Sequence, residues 1–377
     1  MPRIAIDARL TAYRTGGIAE YSRALIRELP AIDPDSHYAI LRARRATEPL
    51  TNPGALNFHQ VTMITPCHHR IERLALGIET TRLRLDLLHS PDFIPPMRLP
   101  GFGARRNVIT VHDLNFLHYP QFQTADSLRY YAGHIRAAVR QTDHILADSQ
   151  ATKADICALL DVAPERITVH MLGVDPAFKP MPADLIATER RRLKLPDSYI
   201  LFVGTFEPRK NLPGLLKGYV DLIARAPDVP PLLLVGRRGW LYESIFEQVK
   251  TLGLSDRVIW REDIADADRV ALYNGAALLV LPSFYEGFGL PPLEAMACGA
   301  PVVVSDRSSL PEVVGDVGLY VDPDHPGSIA DKLYQALSDS GWRTQAIGAG
   351  LQRAATFTWR HTAEITRQVY QQVLQMS

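Results

Sequence analysis

The chain has no excess of either charge, few cysteines and no long apolar run. Its 41 basic side chains match 41 acidic ones, which excludes a broadly cationic nucleic-acid binder. The three cysteines, Cys67, Cys157 and Cys298, lie far apart. That argues against a disulfide framework and a clustered zinc site, and for a reducing, cytoplasmic compartment. No apolar run approaches the roughly 20 residues of a transmembrane helix. The opening MPRIAIDARL lacks the apolar core of a signal peptide. Short repeats and low-complexity tracts are missing too.

What is present suits a globular chain: 46% hydrophobic residues over a length of 377. That length favours two domains over one core. Short runs rich in Val, Ile and Leu read as strands: 3–8, 38–43, 87–90, 107–113, 144–149 and 167–172, then 199–206, 231–236, 257–260, 277–283 and 301–306. Most are apolar on both faces, as strands of a helix-covered parallel sheet are. Helical segments such as 19–29, 127–141, 212–226 and 268–276 alternate with them. The expectation is two doubly wound, Rossmann-like α/β domains facing across a cleft. The proline-rich segment 175–185 marks the linker. Ligands of such sheets sit at the carboxyl ends of the strands, so chemistry is sought there.

The richest cluster is ALLVLPSFYEGFGLPPLEAMACGAPVVVSD (277–306). After a buried strand come Glu286, the loop Gly287 to Leu290, two prolines suited to a first helical turn, and Glu294. Glycines let backbone N–H groups approach a ligand, and a helix start adds unpaired donors and a positive dipole end, so phosphate is the natural guest. Carboxylates accept hydrogen bonds from sugar hydroxyls. A nucleotide-sugar satisfies both halves of the string. A second cluster, YILFVGTFEPRKNLPGLLKGY (199–219), puts Arg209 and Lys210 just before a helix, where cations oppose the dipole unless an anion lies between.

The string FYEGFGLPPLEAMACGAPVVVSD resembles the motif of retaining GT-B glycosyltransferases of the family-4 type (group 1, mannosyltransferase-like), and further matches follow in order along nearly the whole chain. The resemblance implies an acceptor-binding domain over 1–180, a nucleotide-sugar-binding domain over 181–358, and a terminal helix over 359–377 that crosses back to the first domain. It implies that Lys210 holds the donor diphosphate, with Arg209 beside it and Gly204 ending the strand. Glu286 then bonds donor-sugar hydroxyls and Glu294 the ribose, while Phe288, Gly289 and Leu290 form the donor loop. Gly16 and Gly17 match a phosphate-approaching loop. His112, at the end of 107–113, matches a histidine directed at the donor sugar. Ser149 fills a strand-end serine position, and backbone near Ile264 matches the nucleobase contact. Two departures stand out: Thr205 where many relatives carry arginine, and Glu262 where they often have glycine.

The implied reaction moves a hexose from a nucleoside diphosphate to a hydroxyl with retention, by front-face substitution. No Asp-x-Asp motif is read at a strand end, so cationic side chains are expected to replace a metal ion. The start GGI and the string GTFEPRKN resemble bacterial mannosyl- or rhamnosyl-type transferases of surface polysaccharide assembly. GDP-mannose is the first choice of donor; UDP-glucose and related donors stay open. Residues 40–110 hold ten arginines against five acids. The mix of Arg70, Arg73, Arg82 and Arg84 with Ile71, Leu74, Leu76, Ile78 and Leu83 reads equally as a solvated helix or as a face for anionic lipid at the inner membrane surface, or for a lipid-linked acceptor. Rival readings are a GT-B epimerase or phosphorylase, and a non-catalytic nucleotide-sugar-binding protein. Nucleic acid is not an expected partner.

Overall fold

The computed structural model describes every residue except Arg14, Thr15, Thr47, Glu48, Arg70, Leu241 and Ser377. Its contacts divide the chain into two units. One is Met1–His118 with Ala125–Gly173 and Thr358–Ser377; the other is Val174–Phe357 with Tyr119–Thr124. Glu48 and Arg70, two of the charges counted in the basic stretch, thus lie outside the described residues.

The first unit carries β1 (Arg3–Asp7), β2 (His37–Ala43), β3 (Phe58–Met63), β4 (Leu87–Ser90), β5 (Arg106–Val111), β6 (His144–Ala147) and β7 (Ile167–Val169). All are parallel, in the order β3-β2-β1-β4-β5-β6-β7. The connections run outward in opposite directions from β1 and β4, so the topological switch point lies between those two strands. β4 and β6 are buried along their length, their polar His89, Ser90 and His144 included. β3 escaped the sequence reading because it is a sheet edge, where the polar His59, Gln60 and Thr62 are tolerated.

The second unit carries β8 (Ile200–Val203), β9 (Leu232–Val235), β10 (Val258–Arg261), β11 (Leu278–Leu281), β12 (Val302–Ser305) and β13 (Leu319–Val321). They run parallel in the order β10-β9-β8-β11-β12-β13, with the switch point between β8 and β11. β13, three residues at an edge, was also missed. Each fully buried Leu or Val of β8, β9, β11 and β12 contributes about 1.5–3 kcal/mol by leaving water.

The helix Trp359–Gln375 belongs to the first unit. Thr358 caps it by accepting from His361 N–H at 3.2 Å. Its Thr362 hydroxyl donates to Met171 O (2.7 Å), and Tyr370 Oη meets His89 Nδ1 (2.6 Å). Among the described residues no helix is long and apolar enough to cross a membrane.

Candidate active site

In the second unit the charged residues gather at the switch point. β8 ends at Val203, and Gly204 then crosses beneath Gly236: a Cβ on Gly236 would lie 1.9 Å from Gly204 O. The chain turns through Pro208–Lys210, and Asn211, left-handed at φ 55°, caps the helix Leu212–Arg225 by accepting from Gly214 N–H. That turn aims Arg209 and Lys210 at the loop after β11. Glu286 receives Lys210 Nζ and the Ser283 hydroxyl on Oε1, both at 2.6 Å, and Arg209 Nη1 on Oε2 at 2.7 Å. Arg209 also pairs with Glu207 (2.6 Å) and donates to Tyr285 O (3.0 Å). The backbone of the acid is fixed as well: its N–H donates to Ser308 Oγ, and its carbonyl accepts from the Ser309 hydroxyl.

These contacts set the charge states. Burial alone would raise the Glu286 carboxyl; Lys210 and Arg209 outweigh it and hold the group at about 2. The Lys210 ammonium is lowered, first by its own burial and then by the neighbouring Arg209. The result is a fully ionised acid under two cations, tightly enclosed by protein.

The helix Leu290–Ala297 begins next to this cluster. Its N-cap, Gly289, sits at φ 117°, and a Cβ there would meet Leu310 Cδ2 at 2.9 Å, so both backbone and space demand glycine. Pro291 and Pro292 occupy the first turn, whose N–H groups have no partner within the helix. Phe288 turns its ring inward, edge-on to Phe357, and its carbonyl accepts from Ser309; any part it takes in binding is through its backbone. Glu294 is buried and accepts from Tyr273 Oη (2.6 Å) and from Arg269 Nη1 (3.0 and 3.2 Å). Burial, then this carboxylate, push the Tyr273 phenol well above its ordinary value. Ile264 is half-buried in the loop between β10 and the helix Arg269–Gly275, and the nearby Glu262 pairs with Arg238 at 2.7 Å.

In the first unit, His112 follows β5, with both ring nitrogens engaged. Nδ1 meets Asp148 Oδ2 and Nε2 meets Pro91 O, each at 2.7 Å. Burial would lower its pKa, but Asp148, the Pro91 carbonyl and Asp92 raise it to about 9. The resemblance directs this histidine at the donor sugar; in the structure both ring nitrogens are held, by Asp148 and by the Pro91 carbonyl. Asp148 Oδ1 also takes His170 Nε2 at 3.1 Å. Ser149 caps the helix Gln150–Leu160, accepting from Thr152 N–H. Gly16 and Gly17 start the helix Gly17–Glu28 and are exposed.

One expectation is corrected. Asp322 and Asp324 directly follow β13, so an Asp-x-Asp pair does stand at a strand end. Both acids pair with Arg307, at 3.0 and 3.2 Å, and Asp322 also with His325. The pair was overlooked because so short a strand was not recognised. Among the described residues, no three His, Cys, Asp or Glu groups are placed to hold a metal ion. Ser283, Glu207, Arg269, Tyr273 and Asp148 were also missed. Three of them stand beside a motif already singled out, but Arg269 and Tyr273 reach Glu294 from a different helix, and no sequence spacing signals that.

Comparison with known proteins gives the family and the fold. Residues 186–353 match the model "Glycosyl transferases group 1" and residues 15–178 match "Glycosyltransferase Family 4". The chain is 35% identical to an O-antigen chain mannosyltransferase B of Escherichia coli, over 75% of its own length and 74% of that protein's. It is 31% identical to a serotype-specific mannosyltransferase WbdA of the same species, spanning 34% of that longer protein. Among solved structures, sucrose-phosphate synthase of Thermosynechococcus elongatus shares its fold, with a TM-score of 0.80, 22% identity and full coverage of both chains.

Proposed function

The chain belongs to the group 1, family 4 glycosyltransferases, and from that premise we propose that it is a retaining hexosyltransferase, moving mannose from GDP-mannose to a hydroxyl of a glycan or lipid-linked acceptor in surface polysaccharide or glycolipid assembly. The likeness to mannosyltransferases of O-antigen synthesis supports the sugar and the setting. The observation that carries the reading is the convergence of Lys210 and Arg209 on Glu286, beside the glycine loop and helix start.

In this reading Lys210, Arg209 and the N–H groups of Gly289 and Leu290 stabilise the departing diphosphate. One such preorganised donor is worth roughly 3–4 kcal/mol of barrier. Glu286, held ionised, accepts hydrogen bonds from donor-sugar hydroxyls, and Glu294 from the ribose. The acceptor oxygen bonds to the anomeric carbon as the bond to phosphate breaks, on the same face. The acceptor proton passes to the leaving phosphate oxygen. His112 is a poor base near neutral pH, because its imidazolium is stabilised to about 9. Two fixed cations supply the charge a metal ion would otherwise bring, so no metal is required.

We assign membrane contact to the helix Glu72–Thr81 and its flanks. Ile71, Leu74 and Ile78 are 58%, 42% and 50% exposed and line one outer stripe, with Arg82 and Arg84 exposed just beyond. Arg73 does not join them: it donates to Pro95 O and Gln141. An apolar stripe beside arginines suits an anionic lipid surface.

The test is a donor panel read by thermal shift, with EDTA present: GDP-mannose, UDP-glucose, UDP-GlcNAc, dTDP-rhamnose, GDP and UDP. Each rise is taken from the protein's own ligand-free baseline, since Lys210→Ala by itself breaks a buried ion pair. Stabilisation of the wild type by GDP-mannose and GDP, lost in Lys210→Ala, is the expected result. No shift with any nucleotide would overturn the transferase reading; a shift with uridine nucleotides alone would overturn GDP-mannose.

A further inference from the structure

Three neighbouring strands of the first unit end in one polar row. The register pairs Val111 of β5 with Ala147 of β6, and Ala147 with Val169 of β7. The next residues along these strands are His112, Asp148 and His170. Adjacent strands lie about 4.8 Å apart, so the sheet itself makes these three side chains neighbours. They join end to end. His112 Nδ1 meets Asp148 Oδ2 at 2.7 Å, and His170 Nε2 meets Asp148 Oδ1 at 3.1 Å. His170 Nδ1 then meets Thr366 Oγ1, on the helix Trp359–Gln375, at 3.1 Å. Asp148, His170 and Thr366 are all buried, so water does not compete for these bonds.

Donors can be assigned along the row. A carbonyl only accepts, so His112 Nε2 carries the proton of its bond to Pro91 O. Burial would raise the Asp148 carboxyl, but His112 and His170 outweigh it and lower the group, which therefore accepts from both. His170 thus has its proton on Nε2, and its Nδ1 is an acceptor in need of a donor. The Thr366 hydroxyl is that donor. Its other acceptor within reach is Thr362 O at 2.8 Å, the back-bond open to any helical threonine. That carbonyl already lies in the helix ladder, whereas a buried ring nitrogen left without a donor is costly. Packing holds the ring planes: Tyr21 stands edge-on to His112 and His170, with centroids 5.3 and 5.2 Å away. The Tyr21 hydroxyl meets Thr110 at 3.2 Å and reaches Thr366 as well.

The tautomer of an imidazole is set by the bond at its other nitrogen. Without a hydroxyl at position 366, the His170 proton is free to move to Nδ1. A bare Nε2 would then face the Asp148 carboxylate, lone pair to lone pair. Asp148 would lose one of the two bonds that fix its plane, and the His112 ring would lose a fixed partner.

We infer that Thr366 and His170 are positioning residues for His112: the terminal helix sets the His170 tautomer, His170 fixes the Asp148 carboxylate, and Asp148 holds the His112 ring for its part at the donor sugar. That last use rests on the proposed function.

The variants are Thr366→Val, which nearly keeps the outline, and Thr366→Ser, which keeps the hydroxyl and loses the methyl group. Long-range ¹H–¹⁵N spectra of the whole chain at mildly alkaline pH are expected to show His170 protonated on Nε2 in the wild type and in Thr366→Ser. In Thr366→Val a mixture with the Nδ1–H form is expected. There the His112 Nδ1 proton should exchange about fivefold faster, the value of one hydrogen bond. With donor and acceptor present, kcat is expected to fall about fivefold in Thr366→Val and to be restored in Thr366→Ser, with the acceptor KM unchanged in both. A packing role predicts the reverse, with Thr366→Val close to wild type and Thr366→Ser impaired, and would overturn the inference. So would His170 protonated on Nδ1 in the wild type, an unaltered His112 proton in Thr366→Val, or an altered one with kcat unchanged. The spectra need no donor. If the donor panel fails, the transferase reading falls, and the spectra alone decide whether Thr366 holds His112.

Discussion

Glu286 and His112 show how burial and partners divide the ionisable groups of this protein. Glu286 is surrounded by cations and a hydroxyl, and its folded value falls to about 2. The stabilisation from its ionised form is present above the ordinary carboxylate range and is lost as pH falls towards 2. His112 runs the opposite way. Its folded value of about 9 lies above the ordinary 6.5, so its contribution, up to about 3 kcal/mol, is complete below 6.5 and disappears as pH rises through 9. A ¹⁵N-histidine NMR titration is expected to find the His112 ring titrating near 9, and markedly lower in Asp148→Asn. Titration at or below 6.5 in the wild type would show that Asp148 and Pro91 do not hold the proton. Glu286, Lys210 and Arg209 were legible in the sequence, because each sits in a motif with an unusual charge at a helix start. Asp148 was not, since its meaning depends on His112 and His170 arriving from other strands.

At the scale of elements, the helix Leu290–Ala297 depends on how it starts. Its double proline forces the first turn, and Gly289 supplies a backbone angle that other residues rarely adopt. Gly289→Ala is expected to cost about 1–3 kcal/mol of stability, because the methyl group meets Leu310 and the angle is strained. The loop's N–H groups would move with it, so the donor KM should rise as well. Urea unfolding and steady-state kinetics check both; an alanine variant matching the wild type in each would show that the loop adapts freely. Central strands were read from composition, since a strand buried on both faces is mostly apolar, its rare polar groups bonded internally as His89 is to Tyr370 and Thr110. The edge strands β3 and β13 were not, since an edge relaxes that demand.

For the whole molecule, balanced net charge hides an uneven surface. Of the arginines between 40 and 110, Arg73, Arg98, Arg105 and Arg106 are spent on partners in the first unit. Arg82 and Arg84 remain exposed next to the stripe of Ile71, Leu74 and Ile78. Co-sedimentation with vesicles containing phosphatidylglycerol is expected to retain the wild type. Retention should weaken with salt and fall in the triple variant Ile71→Ser, Leu74→Ser, Ile78→Ser. Equal recovery of both proteins, or none with either, would remove the lipid surface. Only the folded chain could tell Arg73 from its neighbours, since all four arginines of the stretch look alike in sequence.

The division between sequence and structure follows from distance along the chain. Short apolar runs alternating with helical segments determined two parallel-sheet units, and the glycine–proline–acid string determined where Glu286, the Gly289 cap and the helix start Leu290–Ala297 lie together, because those signals lie within a few residues of each other. Tertiary structure decided the rest. It set Arg269 and Tyr273 on Glu294, closed His112 between Asp148 and Pro91, and put His170 between Asp148 and Thr366. Each of these joins groups from separate elements. A parallel sheet sets such neighbours by strand order, which no local run of residues encodes.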